Sequence, residues 1–479
     1  MNPEKNIKDK LNLPMLFSSG ISLFFVIFLW GFGENDIFAL GFNLAVFLLF
    51  LLIYLGFNNE KFLNKKNLLW SIPIIFISIS FAVFENPFIK AVNILVWPIM
   101  VLIFYNYSQL EDSKNKFLNL DFFVSLIKRI FQFLGKVGTA IETYTHILTD
   151  SENKKRALIK RIIAGIILFL LIAFIVIIPL LSSADKIFAQ KIDFIYVWVK
   201  NLVSMTFLAK AVVFSILSIF FLALGMAWQK VFTYNEQISE SKTDPIIAGI
   251  VIGGVLMLYI LFLAIQFRYL WIKELPIDFR AVEDLVKSGF WQLLVLSIIN
   301  IGIFFAAFRK TNSFVQKILS VFTAASFLLL LSAAYRMGMY VLYYGFSYEK
   351  FYASYAVIFC AILFIWLFIK LFSSKRADIL KFIVFLFLWM YGIIALFPLE
   401  QFVARTNAAL SKRPDSRINL YELSMLSPDV MGYVKAHKDT DLAYDWEKEE
   451  IDWDLWIKER EDMIKRKKWY EKNLSNLMQ

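Results

Sequence analysis

The sequence is poor in the residues that form covalent cross-links and metal centres. Among 479 residues it has one cysteine, Cys360, and two histidines, His146 and His437. A single cysteine excludes an internal disulfide, and the chain lacks the CxxC and HExxH spacings of zinc sites. It also lacks the GxxxxGK[ST] and GxGxxG stretches that hold nucleotide phosphates. The sequence therefore predicts no metal and no cofactor.

Charged residues are also scarce, and apolar residues take their place. Only 19% of residues are charged and 59% are hydrophobic, with a mean hydropathy of +0.63. Soluble domains are nearer 45–50% apolar. Many apolar runs are about twenty residues long, which as a helix crosses ~30 Å of hydrocarbon. This pattern predicts an all-α fold, a polytopic helical membrane protein.

Eleven apolar runs are predicted to span the membrane. The third and fourth are separated only by Glu85 and Asn86, so a tight hairpin is expected there. The eleven predicted spans are Leu13–Trp30, Ile37–Phe57, Leu68–Phe84, Pro87–Tyr107, Ile162–Ser182, Thr206–Trp228, Pro245–Phe267, Phe290–Phe308, Ile318–Tyr335, Phe351–Phe372 and Phe382–Leu399.

The formal net charge of +11 is explained by topology rather than by nucleic acid. Most Lys and Arg residues fall in the segments that are cytoplasmic if the N-terminus is cytoplasmic, as the positive-inside rule requires. With eleven spans the C-terminus is then outside. The chain is expected in a membrane with its N-terminus in the cytoplasm, in contact with membrane lipids and with no nucleic-acid partner.

The spans and polar segments divide the chain into four regions. Residues 1–107 form a four-span membrane region, and 108–161 form a cytoplasmic insert. Residues 162–399 form a seven-span membrane core, and 400–479 form a polar helical tail.

The insert contains an amphipathic stretch, DFFVSLIKRIFQFLGKVGTAI. It predicts an interfacial helix on the anionic cytoplasmic leaflet, and docking of a partner is the alternative. Apolar residues at helical spacing form one face, and the opposite face carries Lys128, Arg129, Gln132 and Lys136.

Two polar residues inside predicted spans have simple structural interpretations. Lys210 lies near the start of its span, where a long stem can reach the head groups. Asn300 lies near the middle of its span, where an amide commonly joins two helices.

The stretch YRMGMYVLYYGFSYEKFYASY, residues 335 to 355, holds seven of the twenty tyrosines. Arg336 ends a long apolar run there, and Arg268 ends another at the same predicted depth. Charges at membrane depth indicate a functional site, here a polar pocket suited to a phosphate- or sugar-bearing head group. The alternatives are an aromatic belt with arginines that reach the interface, and simple locking of helices.

Four motifs resemble a bacterial membrane protein family, domain of unknown function 4173, and its relative 4153. They are LLSSADKIFA at 180–189, RMGMYVLYYGFSYEKFYA, ARTNAAL at 404–410 and INLYELSMLSPDVM at 418–431. Lys350 stands near a position where the resemblance leads us to expect arginine. The resemblance implies a polytopic fold and no specific activity.

The motif residues would gather on the outer side of the membrane in the predicted topology. With Arg268 they define the predicted outer-face polar site. Its residues are Asp185, Arg268, Arg336, Tyr340, Tyr344, Arg405 and Asn407.

The tail contains two helical signals. Ser427-Pro428-Asp429 has the cap, the first-turn proline and the acid of a helix start. Residues 439 to 473 predict a second helix that is acidic first and basic last. Its tryptophan stripe is expected to pack on the membrane surface or on the protein's own loops, or to dock an envelope protein partner. The stripe comprises Trp446, Trp453, Trp456, Met463 and Trp469.

These patterns favour a non-enzymatic envelope protein that acts in transport, as a scaffold or as a sensor-like partner. The alternative is a membrane-embedded transferase or lipid-handling protein that acts on a lipid head group at the outer leaflet. Its best candidate acids are Glu34 and Asp36 in the first outer loop, which more simply are solvated charges. An ion channel ranks last, because Phe, Leu and Ile dominate the spans.

Overall fold

A computed structural model describes residues 3–29, 40–57, 65–109, 120–149, 205–228, 244–270, 279–373, 379–414, 416–439, 442 and 452–477. Within these ranges the regular structure is helical and contains no strand, as predicted. The α-helices are α1 Pro3–Phe24, α2 Phe42–Phe57, α3 Lys65–Val83, α4 Pro87–Gln109, α5 Leu120–Gln132, α6 Val137–Thr149, α7 Met205–Trp228, α8 Pro245–Leu270, α9 Phe279–Ala307, α10 Ser313–Tyr344, α11 Tyr348–Leu371, α12 Ile379–Ala395, α13 Leu399–Ser411, α14 Met431–His437, α15 Trp453–Arg466 and α16 Leu474–Leu477.

The described residues contain fewer candidate membrane spans than the eleven predicted. In these residues six helices are long and apolar enough to cross, lying within α4 and α7 to α11. The pair α12 and α13, bent by 71° at residues 396–398, makes up to seven. The described apolar runs in α1, α2 and α3 are 10–17 residues long, and the predicted span Ile162–Ser182 lies outside the described residues. The predicted span Phe382–Leu399 differs because hydropathy does not show the helix break at residues 396–398.

The helices pack around two cores. The first is formed by buried residues of α1 to α4, α7 and α12, and the second by α8 to α11. Helix α12 approaches α3 closely, since a Cβ on Gly392 would lie 2.7 Å from Pro73 Cα. Late helices thus pack against early ones across the regions that the sequence defined.

Asn300 joins two helices, as the sequence predicted. It is buried in α9, and its Oδ1 accepts a hydrogen bond of 2.6 Å from the Tyr259 hydroxyl in α8. Burying an amide in an apolar bundle is costly unless it is paired. The bond therefore fixes the register between these two helices.

The tail folds into a third, smaller core. Ser427 accepts a bond from the Asp429 backbone N–H and starts a short 3-10 turn that leads into α14. The predicted second helix is shorter than expected, since α15 covers only Trp453–Arg466, and Trp446 lies outside the described residues. Trp453 and Trp456 are buried in this tail core, whereas Trp469 is exposed.

Candidate functional site

The turn between α10 and α11 carries the tyrosine-rich motif. Gly345 ends α10 with a φ of 67°, a left-handed conformation that favours glycine. Ser347 accepts a bond from the Lys350 backbone N–H and caps α11. The Lys350 ammonium donates to the carbonyls of Tyr344 and Gly345 at 2.9 Å each. A cation thus compensates the negative end of the α10 dipole.

Asn407 in α13 holds this turn in place. Its Oδ1 accepts from the Phe346 N–H at 2.6 Å, and its Nδ2 donates to the Phe346 carbonyl at 2.9 Å. The buried amide thereby satisfies both backbone polar groups of Phe346. A Cβ on Gly345 would lie 2.6 Å from Asn407 Oδ1, so close approach is a second reason for glycine there.

The turn between α3 and α4 lies at the same end of the bundle and is bound by the tail. Asp429 accepts bonds from the Glu85 N–H at 2.8 and 2.9 Å and from the Asn86 N–H at 3.1 Å. Asn86 in turn caps α4 by accepting from the Ile89 N–H. A carboxylate at the start of a helix is favoured by the dipole and by free N–H groups.

Glu400 connects the tail to both turns. It accepts bonds from the Ser427 N–H at 3.0 Å, from the Ser427 hydroxyl and from the Tyr348 hydroxyl. The Tyr348 oxygen also accepts a bond of 2.7 Å from Asn86 Nδ2. One polar chain therefore links the α3–α4 turn, the start of α11, the start of α13 and the tail.

Two lysines complete the ionic part of the cluster. Lys90 Nζ lies 3.4 Å from Glu85 Oε1, and Lys467 pairs with the same carboxylate. Asn473 accepts from Lys90 and donates to the Phe84 carbonyl. We name Glu85, Lys90, Glu400, Asp429 and Lys467 the tail network, and the bundle end that carries it the tail face.

The tail network contains three carboxyl groups and two ammonium groups, all buried. Burial raises the pKa of Asp429, and the nearby Glu85 charge raises it further, while bonds from the backbone oppose the shift. A cavity of about 10 Å³ adjoins Asn86, Glu400, Gln401 and Asp429. Such a space holds one water molecule at most. The arrangement can hold a proton and fix the tail.

The structure brings part of the predicted outer-face site to the tail face. Tyr340 is buried beneath the Lys350 ammonium, 4.4 Å from the ring centroid, and its ring lies 5.3 Å from that of Tyr344. Asn407 joins them through Gly345 and Phe346.

The remaining predicted site residues lie apart or outside the described residues. Arg405 is exposed, 5.9 Å from the ring centroid of Tyr433. Arg336 lies on α10 beside Gly289 of α9. Arg268 is near the end of α8 but its side chain is outside the described residues, as is Asp185 altogether.

Sequence reasoning missed four members of the tail network. Glu85 and Lys90 flank the short break between two spans, and Glu400 follows Pro398 directly after the last span. The only sequence feature that could have indicated these residues was the position of a charge next to an apolar run. Glu85 meets Asp429 and Lys467 more than 300 residues away in sequence. Glu400 meets Tyr348 and Ser427 at separations of 52 and 27 residues, and nothing local identifies these partners.

A second buried cation lies at the opposite end of α4. Arg129 of α5 donates to Asn106 Oδ1 and to the Trp228 carbonyl at 3.3 Å, and stacks 5.0 Å from the Tyr105 ring centroid. The sequence placed Arg129 on a face turned to lipid head groups, which is wrong because its guanidinium is buried in the bundle. Apolar Ile127, among others on α5, is exposed instead.

Comparison with known proteins gives one finding. A family model, Domain of unknown function (DUF4153), matches residues 71–435. No curated protein and no solved structure matches the chain. Of the two families that the sequence motifs resemble, this match supports domain of unknown function 4153 and not 4173. The matched residues include both turns of the tail face, Glu400 and Asp429. The chain therefore belongs to the DUF4153 family.

Proposed function

We propose that the protein is a non-enzymatic membrane protein whose tail forms a fixed platform for a partner on one face of the bundle. The observation that carries this proposal is the tail network, which joins the tail to two inter-helix turns through buried charges. A buried ion pair is costly to separate, because removal of one partner leaves an uncompensated charge. A tail held in this way is suited to present a constant surface.

The packing of the motif residues supports the same proposal. Asn407, Asp429 and Glu400 use their polar atoms to hold backbone groups and hydroxyls. Small-molecule sites commonly have volumes of roughly 300–1,000 Å³. The cavities beside Tyr340 and beside Glu400 are each about 10 Å³, so the motif residues line no such site. A cavity of about 480 Å³ lies between α1 and α2, away from the motif residues, and its lining is apolar. The part of the chain that the structure describes also holds no group of three or more metal-ligating side chains.

The platform offers exposed apolar side chains to a partner. Trp453 and Trp456 are enclosed in the tail core and are not available. The exposed large apolar residues of the described tail are Tyr421, Met425, Leu455, Trp469 and Leu474. Exposed aromatic and Met residues are enriched in protein interfaces. In the topology that we propose, this surface lies outside the bacterial cytoplasmic membrane and meets an envelope protein.

The proposal is tested by locking the tail covalently. The Phe42 N–H donates to the Lys472 carbonyl at 3.3 Å, so these positions are close enough to attempt a disulfide. We would combine Phe42→Cys and Lys472→Cys with Cys360→Ala, and use each single cysteine as a control. Complementation of a deletion strain should survive oxidation of the pair. Loss of function on oxidation that reverses on reduction would contradict a fixed platform and favour a moving tail.

The side of the membrane is tested separately. Lys458 is exposed on α15, so Lys458→Cys in a Cys360→Ala background reports the location of the tail. Labelling of intact cells by an impermeant maleimide is expected. Labelling only after lysis would place the platform in the cytoplasm and require a cytosolic partner.

A further inference from the structure

Arg336 is a cation without a partner in the described part of the structure. It lies in α10, which contains an apolar span of 32 residues, Ser313–Tyr344. Its guanidinium makes no hydrogen bond or ion pair with any described side chain or backbone group. An arginine side chain is always charged, and an unpaired charge within a membrane segment indicates a missing partner.

The depth of Arg336 follows from helix geometry. A helix of 32 residues is about 48 Å long, whereas the hydrocarbon core is about 30 Å thick, so α10 must protrude. Arg336 is 23 residues from Ser313, the first residue of α10, which is a rise of about 35 Å. This rise exceeds the thickness of the hydrocarbon core and places the side chain at the level of lipid phosphates.

The guanidinium lies in a notch formed by a missing side chain. A Cβ on Gly289 would lie 2.5 Å from Arg336 Nη1, so a side chain at this position would displace the end of the arginine. Trp291 and Tyr335 flank the notch in sequence and are 39% and 48% exposed. Glycine thus lets the guanidinium rest against α9 in its present position.

Among the described residues no acidic side chain pairs with Arg336 at the notch. Lys350 is engaged with the α10 carbonyls and with the Tyr340 ring, and Glu349 beside it is exposed. A guanidinium offers two parallel N–H donors that match two oxygens of a phosphate group. We propose that Arg336 binds the phosphate of an anionic phospholipid in the notch at Gly289. This site is separate from the platform, and its failure would leave the platform proposal intact.

The test measures lipid retention. Purified protein would be placed in nanodiscs of phosphatidylcholine with a minor fraction of phosphatidylglycerol. The protein would then be released from the nanodiscs, and the lipids that remain bound would be counted by native mass spectrometry. We expect wild type to retain phosphatidylglycerol, and Arg336→Ala to bind it about tenfold more weakly, since a bond to a charged group carries that order of free energy. Arg336→Lys should retain part of the binding, and Gly289→Ala should weaken it by displacing the guanidinium.

Lys210→Ala is the matched control, because Lys210 also begins an apolar span, at Ala209–Trp228, and has no glycine notch assigned to it. Equal lipid retention in Arg336→Ala and Lys210→Ala, with Cys360 still protected from a thiol dye in both, would overturn the proposal. Inorganic phosphate added to phosphatidylcholine nanodiscs separates the two sources of phosphate. If inorganic phosphate stabilised the protein as much as phosphatidylglycerol does, the assignment of the site to a lipid would be overturned.

Discussion

The two ends of α4 each bury a cation in a different setting. At the first turn, Lys90 and the tail residue Lys467 share the Glu85 carboxylate. Near the last turn, Arg129 donates to the Asn106 amide oxygen and to the Trp228 carbonyl and stacks on the Tyr105 ring. The first end joins the bundle to the tail, and the second joins α5 to two helix ends.

Helix direction places favourable groups beside Arg129. Trp228 is the last residue of α7, and Asn106 lies in the last turn of α4. The carboxyl end of a helix carries roughly half a negative charge and unsatisfied carbonyls. Two such ends converge on one guanidinium, so both helix termini stabilise its charge. At the tail face, the α10 carboxyl end takes Lys350 in the same way.

The attachments at the two ends of α4 depend on different features of the protein. The attachment of the tail depends on charged groups that must be present together and in the right protonation state. The attachment of α5 depends on helix ends that persist as long as the bundle is folded. Substitution and pH should therefore affect the tail face more than the α5 end.

The largest effect is expected from Glu85→Ala. Removal of this carboxylate leaves Lys90 and Lys467 buried with one partner fewer, which costs about 3–5 kcal/mol of stability. Cys360, buried in the second core, gives a built-in reporter of unfolding by a thiol-reactive dye. The melting temperature should fall markedly, and tryptic cleavage of the tail should become faster.

Glu461→Ala is the control for that measurement. Its pair with Lys435 at 2.9 Å is about one-third exposed on both sides, and such pairs contribute about 0–1 kcal/mol. Similar losses in Glu85→Ala and Glu461→Ala would show that the tail network does not hold the tail.

A smaller effect is expected from Arg129→Met, which keeps the stem and removes the guanidinium. Hydrogen bonds to charged groups contribute about 1.5–3 kcal/mol, and Asn106 loses its partner. The same Cys360 assay should show a lower melting temperature, with the tail still resistant to trypsin. Exposed Lys128→Met on the same helix should change neither. Release of the tail by Arg129→Met would contradict the independence of the two ends.

Gly345→Ala should weaken the α10–α11 turn by about 1–2 kcal/mol, since φ of 67° is unfavourable for alanine. The contact with Asn407 adds to this cost. Gly338→Ala, on the same helix with nothing within 4 Å of a new Cβ, should be within about 0.5 kcal/mol of wild type. A comparable loss in both variants would mean that the turn conformation does not matter.

The smallest expected effect is a pH dependence confined to the tail. Burial raises the pKa of Asp429, so the folded protein holds this proton more tightly than the unfolded chain does. Its contribution is therefore present at low pH and is lost as pH rises through the folded-state pKa. The groups that face it are Glu85 and Glu400, with Lys90 and Lys467 beyond.

Melting curves recorded from acid to alkaline pH should show this decline in wild type and a flatter profile in Asp429→Asn. A parallel profile in the two proteins would exclude Asp429 as its source.

Local patterns in the sequence predicted local structure well. They gave the helical membrane class, the break at Glu85 and Asn86, the cap at Ser427 and the Asn300 contact between helices. Each depends on neighbours in sequence or on the cost of burying one polar group. The bend at Pro398 was missed, because a hydropathy window does not register where a helix ends.

Long-range partners were beyond the reach of such patterns. Asp429 was predicted as a helix-start acid, and it serves that role while also binding the Glu85 and Asn86 backbone. Arg129 was assigned to an exposed polar face from its spacing alone. The same spacing and charge are equally compatible with burial against the ends of helices, which is what the structure shows. Distinguishing these outcomes needs the positions of α4 and α7.

The bond between Asn473 and the Phe81 carbonyl spans 392 positions of the chain. During synthesis, α3 and α4 enter the membrane long before residue 473 leaves the ribosome. Until then the carbonyls at the end of α3 and the charges of Glu85 and Lys90 lack their tail partners. The closing contacts form last, and a chain interrupted before Lys467 cannot form them. The packing around the α3–α4 turn can therefore be completed only after the whole tail has been synthesised.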